Sequence, residues 1–159
     1  MRDQAKSAQH QSEDGIEEQQ VLLCPSAQPD WDQAVLLGIV GGTANEPRVS
    51  YLDETQPVTD ELLALTGDVL PTEVLRIAAP CIGGACQHFN GSNCTLVART
   101  VIHLDAITEK LPPCAIRPSC RWWHEEGKAA CQRCPQIVTD NFIPTEQLLT
   151  ASLPPEHKA

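Results

Sequence analysis

Eight cysteines in 159 residues are the side chains with the most evident chemistry. Seven lie between Cys81 and Cys134, and the eighth is Cys24. The later group reads Cys114-x5-Cys120-x10-Cys131-x2-Cys134, followed by Pro135. The earlier reads Cys81-x4-Cys86-x7-Cys94, a triplet with no fourth member nearby. Adding Cys24 to the triplet yields two sets of four, the number of thiolates that closes a metal centre. Thiols in a reducing compartment stay reduced unless they hold metal or do redox chemistry. Residues 1–20 are polar and lack the apolar core of a secretory signal. The expectation is therefore a cytoplasmic protein whose cysteines ligate metal, with disulfides or idle buried thiols as the alternatives.

The later set can close only under one geometric condition. An unbroken helix from 120 to 131 would hold those two sulfurs about 16 Å apart along its axis. A helix stop at Gly127 lets Lys128-Ala-Ala-Cys131 fold back and bring Cys131 and Cys134 to Cys114 and Cys120. A helix running on through Gly127 would rule out a shared site.

Soft thiolates select zinc, Cu(I) or iron–sulfur clusters. Structural zinc commonly uses two short knuckles, and Cys131/Cys134 is the one such pair here. The other spacings are looser and suit a cluster, whose corners reach outward to separate parts of a chain. A cysteine before proline also ends bacterial ferredoxin runs, although the compact run itself is absent. The expected cofactor is one or two iron–sulfur clusters of the 4Fe-4S type, with zinc as the alternative. Cys114, Cys120, Cys131 and Cys134 form the firmer set, and Cys81, Cys86, Cys94 and Cys24 the weaker.

Pro112 to Pro135 holds Arg117, Arg121, Lys128 and Arg133 against Glu125 and Glu126, a local excess of two positive charges. Those bases either stabilise an anionic centre or simply solvate a helix face. Trp122 and Trp123 follow Cys120, so one can cover the site while the other meets the core or a partner. His88, His103 and His124 could each replace a thiolate, His88 being the first choice, but none is assigned.

Other signals are weaker. Gly38-Ile-Val-Gly41-Gly42-Thr43 matches no nucleotide-binding loop and reads as a turn. Asn90 and Asn93 head glycosylation-type triplets that mean little without export, and Asn90-Gly91 reads as a tight turn. No Ser/His/Asp arrangement or carboxylate pair stands out, and Cys131/Cys134 lacks the βαβ context of a redox dithiol. The expected function is one-electron transfer or redox sensing toward a protein partner, as an electron carrier or accessory protein rather than an enzyme; the alternatives are a structural-zinc adaptor with the paired Trp in its interaction surface, and an enzyme using an open cluster position.

The elements that must position these residues can be read from patterning. The formal net charge is −10 and the pI about 4.8, against a nucleic-acid-binding surface. No apolar run has the length of a membrane span. Leu, Ile, Val and Phe supply 37 residues, enough for a lean core. Residues 1–20 read as a disordered acidic tail, 21–150 as one domain and 151–159 as a flexible end. Ala34–Val40 and Arg48–Leu52 around a Gly-rich turn predict a β-hairpin. Thr59 predicts an N-cap for a helix over 60–65 that stops at Gly67, and 74–79 predicts a third strand. Val97, Val101, Leu104, Ile107 and Leu111 predict a helix ending at Pro112-Pro113. A shorter helix is expected from Ser119 as N-cap to Gly127. The fold class is α+β: a small domain with an N-terminal hairpin half and a helical, cysteine-rich, metal-binding half.

Four segments together carry a resemblance: Cys24-Pro-Ser-Ala-Gln-Pro-Asp-Trp31, Gly41-Gly-Thr43, Ala79-Pro-Cys81 and Cys120-Arg-Trp-Trp-His-Glu-Glu-Gly127. They resemble small cyanobacterial-type cysteine-rich proteins loosely labelled nitrogen-fixation proteins, to which iron–sulfur binding is ascribed. The resemblance spans roughly residues 21–142. It implies a bacterial cytoplasmic setting and an electron-transfer or cofactor-related role, and it names no substrate.

Overall fold

The computed structural model describes residues 21–43, 45–140 and 144–152. The expected acidic tail lies outside the described residues, as do residues 153–159. Four antiparallel strands form one sheet in the order β1-β4-β2-β3. These are β1 (Leu23–Cys24), β2 (Val35–Gly42), β3 (Pro47–Pro57) and β4 (Leu75–Pro80). The helices are α1 (Asp60–Ala64), α2 (Pro71–Val74), α3 (Thr95–His103), α4 (Arg121–Glu126), α5 (Lys128–Arg133) and α6 (Glu146–Ser152). The α+β class therefore holds.

The expected hairpin is β2–β3, closed where Thr43 and Glu46 exchange both backbone hydrogen bonds at 3.2 Å. β2 bulges between Leu36 and Gly38 against both of its neighbours. A Cβ at Gly38 would lie 2.7 Å from the Ser50 carbonyl oxygen, so the strands approach there only because the side chain is absent.

Period-two alternation divides β4 between two cores. Leu75, Ile77 and Ala79 pack with Leu36 and Ala27 on one face, against Leu62 and Leu63 of α1. Ala78 joins Leu37 on the other face, against Val97, Cys120, Trp122, Ala130 and Leu148 from the helices. Arg76 alternates onto this helix-covered face, where it is 0% exposed. The Thr59 hydroxyl accepts from the Leu62 N–H and caps α1 as expected.

Three elements differ from expectation. The helix predicted over 97–111 ends at His103, because Leu104 turns extended and buries its side chain. The released backbone is taken up by the chain around α5. Arg133 Nε donates to the Leu104 carbonyl at 2.7 Å, Gln136 Nε2 to that of Asp105 at 2.8 Å, and the Ile107 N–H to that of Gln132 at 3.0 Å. The N-cap of α4 is Cys120 rather than Ser119, which belongs to a preceding 3-10 turn. The folded chain also reaches Ser152, past the expected boundary at 150, because Ala151 on α6 is buried in the helix-side core. Among the described residues, no helix is long and apolar enough to cross a membrane.

Gly127 ends α4 and α5 begins at the next residue. Its φ of 63° and ψ of −140° lie in a region that residues with a Cβ rarely adopt. Gly127→Ala is expected to cost about 1–3 kcal/mol, since there is space for the methyl group but not the conformation. A urea titration of the purified variant measures this, and an unchanged midpoint would show that the break does not depend on glycine.

Candidate metal centres

The two-residue strand β1 brings Cys24 across the chain to the earlier triplet. Leu23 and Cys24 pair with Pro80 and Ala79, and the Cys81 N–H donates to the Leu22 carbonyl at 2.9 Å. A 3-10 turn at Gly83–Ala85 delivers Cys86. The Asn90 side chain then accepts from the Ser92 and Asn93 N–H groups, closing a turn whose flanks Phe89 and Cys94 bridge. Cys94 is the N-cap of α3. Cys24, Cys81, Cys86 and Cys94 line one cavity of about 500 Å³, together with His88, Arg121 and Trp122.

The later set surrounds a second, much smaller space. The break at Gly127 lets α5 turn back, and Cys114, Cys120, Cys131 and Cys134 line a cavity of about 20 Å³ with Tyr51, Arg117 and Trp122. That is the room of a single water. Leu23 also forms a parallel bridge with Cys120, so one strand residue touches both neighbourhoods. The indole of Trp122, 1% exposed, lines both cavities.

The sulfurs are surrounded by donors, in a pattern that repeats along the chain. N–H groups two residues downstream donate to Cys81 and Cys86, from Gly83 and His88, both at 3.4 Å. Ser26 does the same for Cys24 and Ile116 for Cys114; Cys94 and Cys120 receive theirs from Leu96 with Val97 and from Trp122 with Trp123. A neutral thiol is a weak acceptor and a thiolate a strong one, so this placement favours the anion.

Two arginines add charge. Arg121 Nε donates to Cys81 Sγ at 3.1 Å while its Nη1 pairs with Glu125 at 2.8 Å; the other Glu125 oxygen accepts from the Cys94 N–H at 2.9 Å. Arg76 is completely buried. Its Nε donates to the Pro25 carbonyl at 2.9 Å, Nη1 to those of Cys134 and Ile137, and Nη2 to Cys134 Sγ at 3.0 Å. No carboxylate answers it among the described residues. The local arginines therefore spend donors on sulfur and backbone rather than merely solvating a helix face: Arg133 on carbonyls, and Arg117 on the Pro112 carbonyl while its ring-facing side lies over Trp123.

Burial is the main influence on the thiols. It pushes Cys24, Cys94, Cys114 and Cys131 above the ordinary thiol value, and Cys120 up to about 12. Neighbouring sulfurs of the same set add to the rise: Cys94, Cys81 and Cys86 act on Cys24, and Cys134 and Cys114 on Cys120. Arg117 opposes burial at Cys131. Burial also lifts Tyr51, with the Cys134 sulfur next in importance.

Three buried side-chain donors make no well-formed hydrogen bond among the described residues: Arg117 Nε, Trp122 Nε1 and Tyr51 Oη, the last with only a loose contact to the Cys134 sulfur. All three can donate, and all three residues line the second cavity. Buried donors without acceptors are costly, so their convergence beside four thiols is the pattern that an anionic occupant would relieve.

Neither set closes on a point. Among the described residues, no group of three or more His, Cys, Asp or Glu could hold a single metal ion as placed. His88 Nδ1 faces Arg99 Nη2 at 2.8 Å and so acts as an acceptor, His124 Nε2 donates to the Pro118 carbonyl, and His103 lies in the last turn of α3 away from both cavities. The sequence singles out neither Arg76 nor Tyr51, and counts Glu125 only as a local charge. The usable signal for Arg76 was a lone charge at an inward position of an apolar strand. No family model, curated protein or solved structure matches the chain.

The raised thiols make the metal-free chain sensitive to alkali. Each folded-state pKa lies above the unfolded value near 9.0, so the folded chain holds protons that the unfolded chain has lost. This contribution is complete below about pH 9 and declines as pH rises towards the folded value near 12 at Cys120. Urea midpoints of the reduced, chelator-treated protein should fall steadily from pH 8.5 to 10.5. A flat profile would place the thiols in a solvent-like setting.

Proposed function

We propose that this chain is an iron–sulfur protein that transfers single electrons, or senses redox state, with a protein partner in the cytoplasm. The observation that carries the proposal is the second cavity: four thiols and the buried donors of Tyr51, Arg117 and Trp122 line it, and the buried Arg76 guanidinium donates to one of those thiols, Cys134. Cations and hydrogen-bond donors gathered beside four thiols suit an anionic group. A thiolate-bound cluster is anionic and carries sulfur acceptors on every side. Cys114, Cys120, Cys131 and Cys134 would hold one centre, and Cys24, Cys81, Cys86 and Cys94 the other.

Such a group supplies one-electron oxidation and reduction when bound. The chain's own part is electrostatic. Arg76, Arg121 and the downstream N–H groups stabilise negative charge on the sulfurs, which favours the more negative, reduced state. The first cavity opens beside the exposed side chain of Ile82, an apolar contact for a docking partner.

Zinc is the competing occupant, and the 20 Å³ of the second cavity favours it, because a cluster must spread those four thiols. A tetrahedral zinc ion with bonds of about 2.3 Å draws its sulfurs to roughly 3.8 Å from one another. Neither set is placed to hold a metal ion, zinc included, so either occupant requires the thiols to move.

Anaerobic purification followed by iron, acid-labile sulfide and zinc analysis separates the two occupants. Brown protein with iron and sulfide in equal amounts is expected, falling by about half in a Cys114→Ser/Cys131→Ser variant. Colourless protein with stoichiometric zinc would overturn the iron–sulfur assignment.

A further inference from the structure

The turn between Cys86 and Cys94 carries a chemistry that involves neither thiol. Asn90, Gly91, Ser92 and Asn93 are all exposed, so water reaches the whole segment. Asn90 Oδ1 accepts from the Ser92 N–H at 3.0 Å and from the Asn93 N–H at 2.8 Å. The Asn90 N–H donates to the Asn93 carbonyl at 3.0 Å, which ties the two ends of the turn together. Gly91 has a φ of 102°, and a Cβ there would meet nothing within 4 Å. The position needs the freedom of glycine, not the room.

Two N–H groups aimed at one amide oxygen polarise its C–O bond. They also stabilise the negative charge that builds on that oxygen when a nucleophile adds to the carbon. A nucleophile is already tethered beside it. The main-chain nitrogen of Gly91 reaches Asn90 Cγ by closing a five-membered ring, and an intramolecular attack avoids the entropy of bringing two molecules together. No side chain on Gly91 obstructs that approach.

We infer that Asn90 is a site of spontaneous deamidation and that the folded turn assists the reaction. Gly91 N gives its proton to a base in solvent as it bonds to Asn90 Cγ. The resulting oxyanion, held by the Ser92 and Asn93 N–H groups, collapses and expels the side-chain nitrogen, which takes a proton from solvent and leaves as ammonia. Water then opens the cyclic imide at one of its two carbonyls. Opening at Cγ breaks the new C–N bond and leaves aspartate. Opening at the main-chain carbonyl breaks the original peptide bond and leaves isoaspartate, with one methylene added to the main chain. Water is the only co-reactant, and nothing is oxidised or reduced.

The two products differ in what they do to the fold. Aspartate keeps both hydrogen bonds and accepts them more strongly. Isoaspartate lengthens the chain between Phe89 and Cys94, whose bridge closes the turn. It thereby disturbs Phe89, over whose ring Arg121 lies with Cζ 5.2 Å from the centroid. Phe89, Cys94 and Arg121 all line the first cavity, so the modification alters one wall of it whatever that cavity holds.

The test follows the full-length, reduced chain in a mildly alkaline buffer, beside the same chain unfolded in guanidinium chloride. Mass spectrometry of its peptides, with fragmentation to place the change, reads the conversion of amide to acid. Asn90 should react at least as fast in the folded chain as in the unfolded one. Asn93, equally exposed but followed by Cys94, is the internal control and should stay intact over the same period. Gly91→Ala should slow the reaction, and Asn90→Asp should remove it while leaving the denaturation midpoint unchanged or higher. Slower reaction in the folded chain would overturn the assistance by the turn. An intact Asn90 in the folded chain after the unfolded chain has reacted would overturn the site itself. Should Gly91→Ala fail to fold, the comparison of folded with unfolded chain, which needs no variant, still decides the inference.

Discussion

A guanidinium removed from water requires compensation, and among the described residues no carboxylate provides it to Arg76. Taking one charge from water into a protein interior costs several kcal/mol even after relaxation, unless hydrogen bonds and an opposite charge offset it. Three carbonyls and a sulfur satisfy the donors of Arg76, yet carbonyls are dipoles and carry no net charge. The neighbouring groups able to become anionic are the Cys134 thiol, the Tyr51 hydroxyl and the Cys24 thiol. Strand alternation leaves the side chain no other face, because Leu75 and Ile77 must lie on the α1 side. The sheet thus fixes a cation at the boundary with the helical layer, beside Cys134 and Cys24.

From this constraint the arrangement of the other elements gains a purpose. β1 is two residues long and would be a poor strand alone, but it carries Cys24 to Cys81 on one side and lies against Cys120 on the other. The break at Gly127 turns one helix into two, returning Cys131 and Cys134 to the sheet side. Glu125 on α4 ties Arg121 to the backbone of Cys94, so the helix that starts at Cys120 also braces the first set. The aromatic shortage of the chain makes Trp122 the largest fully buried side chain, and it forms the wall between the cavities. Thiol burial without occupancy is costly at alkaline pH, and the poorly bonded donors of Tyr51, Arg117 and Trp122 add to that cost.

Local chemistry was legible in the sequence where it acts over a few residues. The β2–β3 hairpin, the Thr59 cap, the strand over 75–80 and the stop at Gly127 follow from turn residues, alternation and glycine conformation. Features set by distant partners were not. The apolar spacing of Val97 to Leu111 is helical throughout, yet the helix ends at His103 because side chains near residue 133 capture the backbone beyond it. β1 has too few residues to show a pattern, and its pairing with β4 is purely tertiary. The division of the cysteines into four and four could be proposed by counting, but the assignment of Cys24 to a cavity required the register of β1. Arg76 was passed over because a strand pattern tolerates one polar residue without comment. Its importance emerges only once its face of the sheet is known to be covered.

Native mass spectrometry of the chain, purified and kept without oxygen, tests the central claim most directly, since it weighs the occupants of intact protein molecules. The account predicts a dominant species heavier than the polypeptide by two iron–sulfur centres and lighter by the thiol protons they displace. A polypeptide mass with no addition, whose eight cysteines all react with an alkylating reagent as quickly as in the denatured chain, would contradict it.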